Sequence, residues 1–200
     1  MIFKFSVYLT QKLTKKGNIE LEEKELYEYA FFMIFSYSFF LIFTLVIGLL
    51  AKIPVESVSF FIIFSVIRNY AGGIHANTET KCAIFTSVSI VLCVLLLKFM
   101  ICFKLNILSL VLMLVAIICL CFIKPIDNLN KELSNVEKKH NHKIVIGIMA
   151  VIVFLYFILF FIEKQSIAFS FSVSVILAAI LLTAGKIQNF KKNCKKNSAI

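Results

Sequence analysis

Apolar and polar positions alternate along the chain in long blocks. A first apolar block runs roughly from Ala30 to Ala51, and after the turn Lys52-Ile53-Pro54 a shorter one runs from Val55 to Ile67, carrying Glu56 and several serines. Polar residues 68–81 separate these from a third block, Cys82 to Phe103, and Lys104-Leu105-Asn106 turns the chain into a fourth that ends near Ile123. The longest polar stretch, Lys124 to Lys143, leads to a fifth block from about Ile144 to Ile162; Glu163-Lys164-Gln165 joins it to a sixth from about Ile167 to Ala184. Blocks of this length match a hydrocarbon core of about 30 Å, where a helix satisfies its own backbone groups. The pattern predicts an all-α fold: a polytopic integral membrane helical bundle of about six transmembrane helices, with Val55–Ile67 read as a span rather than a re-entrant segment.

Residues 1–29 read differently. Ile2, Phe3, Phe5, Val7, Leu9 and Leu13 are interleaved with Lys4, Lys12, Lys15 and Lys16, and Gly17-Asn18 then breaks the run before a charged segment, IELEEKELYEYA. The first half predicts an interfacial amphipathic helix on the membrane surface. The organisation expected is therefore an N-terminal segment over 1–29, a six-span domain over 30–185 with polar loops at 68–82 and 124–143, and a basic, mobile tail over 186–200. The opening residues lack the small-residue cleavage site of a signal peptide.

Composition sharpens this picture. The 200 residues are 60% hydrophobic and 16% charged, with 22 Phe, no Trp and 2 Pro, whereas soluble chains are about 45–50% apolar and about 25% charged. The net charge of +10 lies between and beyond the apolar blocks, where it sets topology and meets anionic headgroups, so a nucleic-acid partner is not expected. With six spans, the N-terminal segment, the 68–82 loop, the 124–143 loop and the tail all fall on one side. These regions hold most of the lysines and Arg68, which makes that side the cytoplasm. Lys52, Lys98, Lys104 and Lys164 are left to short turns opposite. Both termini are therefore expected inside.

The six cysteines include no CxxC pair, which disfavours a disulfide framework or a zinc knuckle. Cys93, Cys102, Cys119 and Cys121 lie within apolar blocks, where cysteine packs as a small hydrophobe. Chemistry concentrates instead in RNYAGGIHANTETKC, Arg68 to Cys82. His75 and Cys82 supply a base and a thiol nucleophile, and Gly72-Gly73 lets the backbone turn sharply before them. On one continuous helix the pair would be about 10.5 Å apart along the axis, too far for direct proton transfer. A helix starting at Asn77 or Thr78, both good N-caps, would instead place Cys82 about one turn in, near the positive end of the dipole, with His75 folded back beside it. Arg68 could hold an oxyanion or a substrate carboxylate. Asn69, Asn77 and Glu79 are all open as an orienting third group.

The pattern Arg68-x-x-x-Gly72-Gly73-x-His75, with Cys82 following, resembles the motif of the AgrB family (accessory gene regulator protein B). Chain length, the six-span layout, the Lys124-Pro125 step and Lys131 in the next loop are similar to that family as well. The resemblance implies a membrane cysteine endopeptidase of Gram-positive quorum sensing. Such an enzyme cuts the C-terminal part from a small propeptide and passes the acyl group from its own cysteine to a side chain within the peptide, giving a cyclic thiolactone or lactone signal. Carried over by position, Cys82 is the nucleophile and His75 the general base. Arg68, Gly72 and Gly73 shape the site, and Lys131 meets the substrate. The implied partners are an amphipathic, AgrD-like propeptide and the lipid bilayer, with a homodimer compatible; no cofactor is implied. The implied location is the cell membrane, with the site at the cytoplasmic face.

Three other readings carry less weight. A small-solute or peptide transporter would need ionisable groups along its spans, and only Glu56 and Lys98 qualify. A non-catalytic scaffold would be indifferent to loss of one thiol. A metal site built from His75, Cys82, His140 and His142 lacks a supporting carboxylate.

Overall fold

The computed structural model describes residues 2–17, 20–73, 79–123 and 134–197, and every regular element among them is helical. In chain order these are α1 (Ile2–Lys15), a short 3-10 turn (Leu21–Glu23), α2 (Lys24–Ala51), α3 (Pro54–Ala71), α4 (Glu79–Cys102), α5 (Asn106–Phe122), α6 (Asn135–Phe161) and α7 (Gln165–Asn197). Among the described residues four helices are long and apolar enough to cross a membrane: α2, α4, α6 and the part of α7 up to Gln188. The second and fourth apolar blocks form α3 and the shorter apolar helix α5. Glu56 and Arg68 at its two ends make α3 the more polar of the two.

Packing divides the chain into two compact units, residues 1–43 and 44–200. In the first unit α1 meets α2 through edge-on aromatic pairs, Phe3 with Phe32 (6.0 Å) and Phe5 with Phe35 (5.1 Å). Ser6 and Thr10 of α1 are fully buried, while Phe3, Phe5 and Tyr8 stay exposed. The hydroxyls of Ser6, Thr10 and Thr14 donate back to Phe3, Ser6 and Thr10 carbonyls, so burial leaves none of them unsatisfied.

In the second unit α7 is the central helix. Of its apolar span 67% is buried, against 28% for α4 and 22% for α6. It packs against α3, α4, α5 and α6, while α3 also touches α4 and α6, and α5 also touches α6. The order around α7 is thus α4, α3, α6, α5. The sequence of α7 suits this place. Ala168, Ser170, Ser172, Ser174, Ala178 and Ala179 are all buried, and small residues let helix backbones approach where no hydrophobic force drives them together.

Three tight turns of one design build the bundle. Lys52, Lys104 and Glu163 each adopt positive φ (61°, 49° and 60°). After each, a backbone N–H reaches back to close a Schellman cap: Ile53 to Gly48 (2.9 Å), Leu105 to Met100 (3.1 Å) and Lys164 to Leu159 (2.9 Å). Such short turns make the joined helices antiparallel neighbours. At the first turn the approach is closest, because a Cβ on Gly48 would lie 2.7 Å from Ser57 Cβ. Near the other two turns, Asn106 Nδ2 donates to Gln165 Oε1 (3.0 Å). One turn deeper, Tyr156 Oη donates to Ser109 Oγ (3.4 Å), Ser109 Oγ to Ser172 Oγ (2.7 Å) and Ser172 Oγ to the Phe169 carbonyl (2.9 Å). Alternation of direction then puts the end of α3 and the beginnings of α4 and α6 together at the opposite end.

Helices overrun the apolar blocks in several places, because polar residues beyond the hydrocarbon can stay helical. α3 continues through Arg68 to Ala71 instead of stopping at Ile67. α6 starts at Asn135, inside the long polar stretch, where Ser134 and Glu137 form a reciprocal capping box (Glu137 N–H to Ser134 Oγ 3.2 Å; Ser134 N–H to Glu137 Oε2 2.8 Å). α7 runs on to Asn197, so most of the segment expected to be a mobile tail is helical.

Candidate active site

The end of α3 is built by one stripe of residues. Phe60, Phe64 and Ile67 are buried on its inner side, and the rings of Phe60 and Phe64 stack with centroids 6.1 Å apart. Arg68, one turn on, extends this line: its Cζ lies 5.8 Å from the Phe64 ring centroid, within cation–π range. The half-buried guanidinium is therefore held by the aromatic stripe at the rim of the bundle.

Gly72 stops the helix. Its N–H donates to the Arg68 carbonyl (3.0 Å), and its backbone sits at φ 75°, ψ −157°, a region essentially open to glycine alone. That conformation turns the chain inward, and Gly73 is buried. A Cβ added to Gly73 would lie 3.5 Å from Leu181 Cβ and 3.8 Å from the Leu181 carbonyl oxygen. The two glycines thus do different things: the first supplies a turn, the second a contact with the central helix.

Cys82 occupies the first turn of α4, which starts at Glu79, and is partly exposed. This is the placement the capping pattern predicts. His75, Asn77 and Thr78 lie outside the described residues, as does Lys131, so the structure assigns no geometry to the His75–Cys82 pair or to Lys131. Arg68, Gly72, Gly73 and Cys82 are gathered at one end of the bundle, on α3 and α4, which pack against each other. Asn69 is exposed on the last turn of α3.

Among the described residues no cluster of His, Cys, Asp or Glu could hold a metal ion. His140 and His142 fall on different sides of α6, the first exposed and the second half-buried, as residues two apart on a helix must. Leu181 is a site residue the sequence gives no means of finding, because its contact joins segments more than a hundred residues apart and its own surroundings read as plain apolar helix.

The family model for AgrB, accessory gene regulator B, matches residues 6–182. This chain belongs to the AgrB family. An AgrB-like protein of Clostridium perfringens (strain SM101 / Type A) is 27% identical over 149 residues, covering 72% of this chain and 69% of the relative. An AgrB-like protein 2 of Clostridium perfringens (strain 13 / Type A) is 25% identical over the same length and shares. No solved structure matches. AgrB membership and the long apolar helices make this a membrane protein, with an AgrB-type role in processing an autoinducing peptide.

Proposed function

We propose that this AgrB protein is a membrane cysteine endopeptidase that cleaves a small AgrD-like propeptide and directs its cyclisation. The observation that carries the reading is the position of Cys82, in the first turn of α4 beside the glycine-capped end of α3. His75 serves as the base that takes the Cys82 proton. The thiolate attacks the scissile carbonyl, a tetrahedral oxyanion forms near Arg68, and collapse expels the amine of the C-terminal fragment, which leaves with a proton from the imidazolium. The thioester keeps the acyl group activated. A thiol or hydroxyl within the peptide then attacks it, giving its proton to the now neutral His75; Cys82 departs as thiolate, and the ring closes without an external energy source.

The Gly72 turn and the Leu181 seat support this mechanism, since they fix where the chain enters the segment that carries His75. Lys131 and its neighbours meet the departing acidic portion of the peptide. The site faces the cytoplasm, and both termini lie on that side, because the lysine-rich segments gather there. The test is cleavage of a synthetic propeptide with an amphipathic leader, a central cysteine and an acidic tail, in membranes holding the wild-type protein, Cys82→Ala or His75→Ala. Loss of cleavage in both variants, with normal insertion, is expected; cleavage by Cys82→Ala would overturn the assignment.

A further inference from the structure

α6 presents one buried stripe to the bundle: Val145, Met149, Ile152 and Tyr156 are all at most 5% exposed. Extending that spacing toward the start of the helix, one step of three residues reaches His142. Its Nδ1 is buried and has no hydrogen-bond partner among the described residues. A buried polar atom without a partner is costly. Among the described residues Asn106 Oδ1 and Ser170 Oγ are also buried without a partner, but both lie near the starts of α5 and α7, at the end of the bundle away from Gly73 and Cys82.

Register places this orphan near the site. The contact of both Tyr156 and Ser172 with Ser109 sets the two helices level there, and equal steps along the antiparallel pair bring Leu181 level with Gly147. His142 lies beyond Gly147, on the side of Leu181 that leads to the start of α6. This is the end of the bundle where Gly73 meets Leu181 and where α4 starts with Cys82 in its first turn. Both α4 and α6 pack against α3, on its two sides. The end of α3 thus lies between the two helices that carry Cys82 and His142.

We propose that His142 is a peptide-binding residue of this site, its Nδ1 accepting a hydrogen bond from a backbone N–H of the bound propeptide. The inference rests on the peptidase reading above for the nature of the ligand. An imidazole nitrogen that is buried yet unpaired among the described residues is suited to this task, and an extended peptide strand brings N–H donors that need acceptors once they leave water. His140, exposed on another side of the same helix, has no such role.

The test separates binding from chemistry. The affinity of the labelled synthetic propeptide is measured in nanodiscs for the Cys82→Ala protein, alone and combined with His142→Leu, His142→Asn, His142→Gln or His140→Leu. Removing the acceptor by His142→Leu is expected to weaken binding about tenfold. Asn, whose amide reaches the Nδ1 position, restores most of it; Gln, whose amide reaches the Nε2 position, does not; His140→Leu binds as the parent does. In the cleaving protein His142→Leu raises KM and leaves kcat within about twofold. Unchanged affinity in His142→Leu, equal rescue by Asn and Gln, or a fall in kcat at constant KM would overturn the proposal. Cleavage that survives Cys82→Ala would instead sink the peptidase reading, while the binding series still decides whether His142 touches the peptide.

Discussion

Gly73 rests against Leu181, close enough that a methyl group added to the glycine would lie 3.5 Å from Leu181 Cβ. The chain leaving α3 is thereby referenced to α7, the most deeply buried helix of its unit. Leu181 is itself 3% exposed, so the seat cannot shift without disturbing the core. Truncating it by Leu181→Ala should cost about 2–5 kcal/mol of stability through the cavity left behind. Peptide cleavage, assayed where the protein remains folded, should change little, because the Cβ and the carbonyl that face Gly73 are kept in alanine.

The two glycines should respond differently to the same small change. Gly72→Ala forces a side chain into φ 75°, ψ −157°, a strain of about 1–3 kcal/mol, and should redirect the chain toward His75. Gly73→Ala adds only ordinary van der Waals contact with Leu181, so its effect on stability should stay within about 0.5 kcal/mol. Cleavage rates and unfolding curves of the two variants, compared side by side, check this. Equal loss in both would mean that the turn and the seat are not separate functions.

At the opposite end, Gly48→Ala should be among the most disruptive single-methyl changes in the chain. The new Cβ would lie 2.7 Å from Ser57 Cβ and 3.1 Å from Pro54 Cα, and the Pro54 backbone cannot give way easily. Overpacking of this kind costs about 1–3 kcal/mol, measurable as a lowered midpoint in detergent unfolding.

The hydroxyl chain through Ser109 offers a graded prediction. Ser109 is both acceptor for Tyr156 and donor to Ser172. Ser109→Ala should therefore destabilise more than Tyr156→Phe, which removes only the longer, 3.4 Å bond. Each such bond within a membrane bundle contributes about 0.6 kcal/mol on average and at most about 1.7. Unfolding midpoints of the two single variants and the double variant give the coupling directly.

Much of this fold is legible in the hydrophobic pattern because a membrane span must be continuous and apolar. The blocks at Ala30–Ala51, Cys82–Phe103, Ile144–Ile162 and Ile167–Ala184 correspond to α2, α4, α6 and α7. Helix ends are less legible, since the pattern marks where hydrocarbon ends and not where hydrogen bonding ends. Hence α3 runs past Ile67 to carry Arg68, and α6 starts at the Ser134 cap rather than at Ile144. The local part of the site follows from sequence: Gly72 as a turn and Cys82 one turn into a helix both depend on neighbours within a few residues. Leu181 and His142 do not, because their place at the end of the bundle where α3 stops exists only once α7 and α6 have packed. His142 is visible in the sequence only as half of an HxH pair, and the helix separates that pair.

The central claim is that Cys82 forms a covalent acyl-enzyme. The most direct measurement is mass spectrometry of the protein quenched in acid soon after mixing with the synthetic propeptide, followed by peptide mapping. The account predicts an adduct on Cys82 equal in mass to the propeptide without its C-terminal fragment, less one water, released by hydroxylamine and absent from Cys82→Ala. Cleavage of the propeptide by Cys82→Ala, or an adduct mapped to another cysteine, would contradict it.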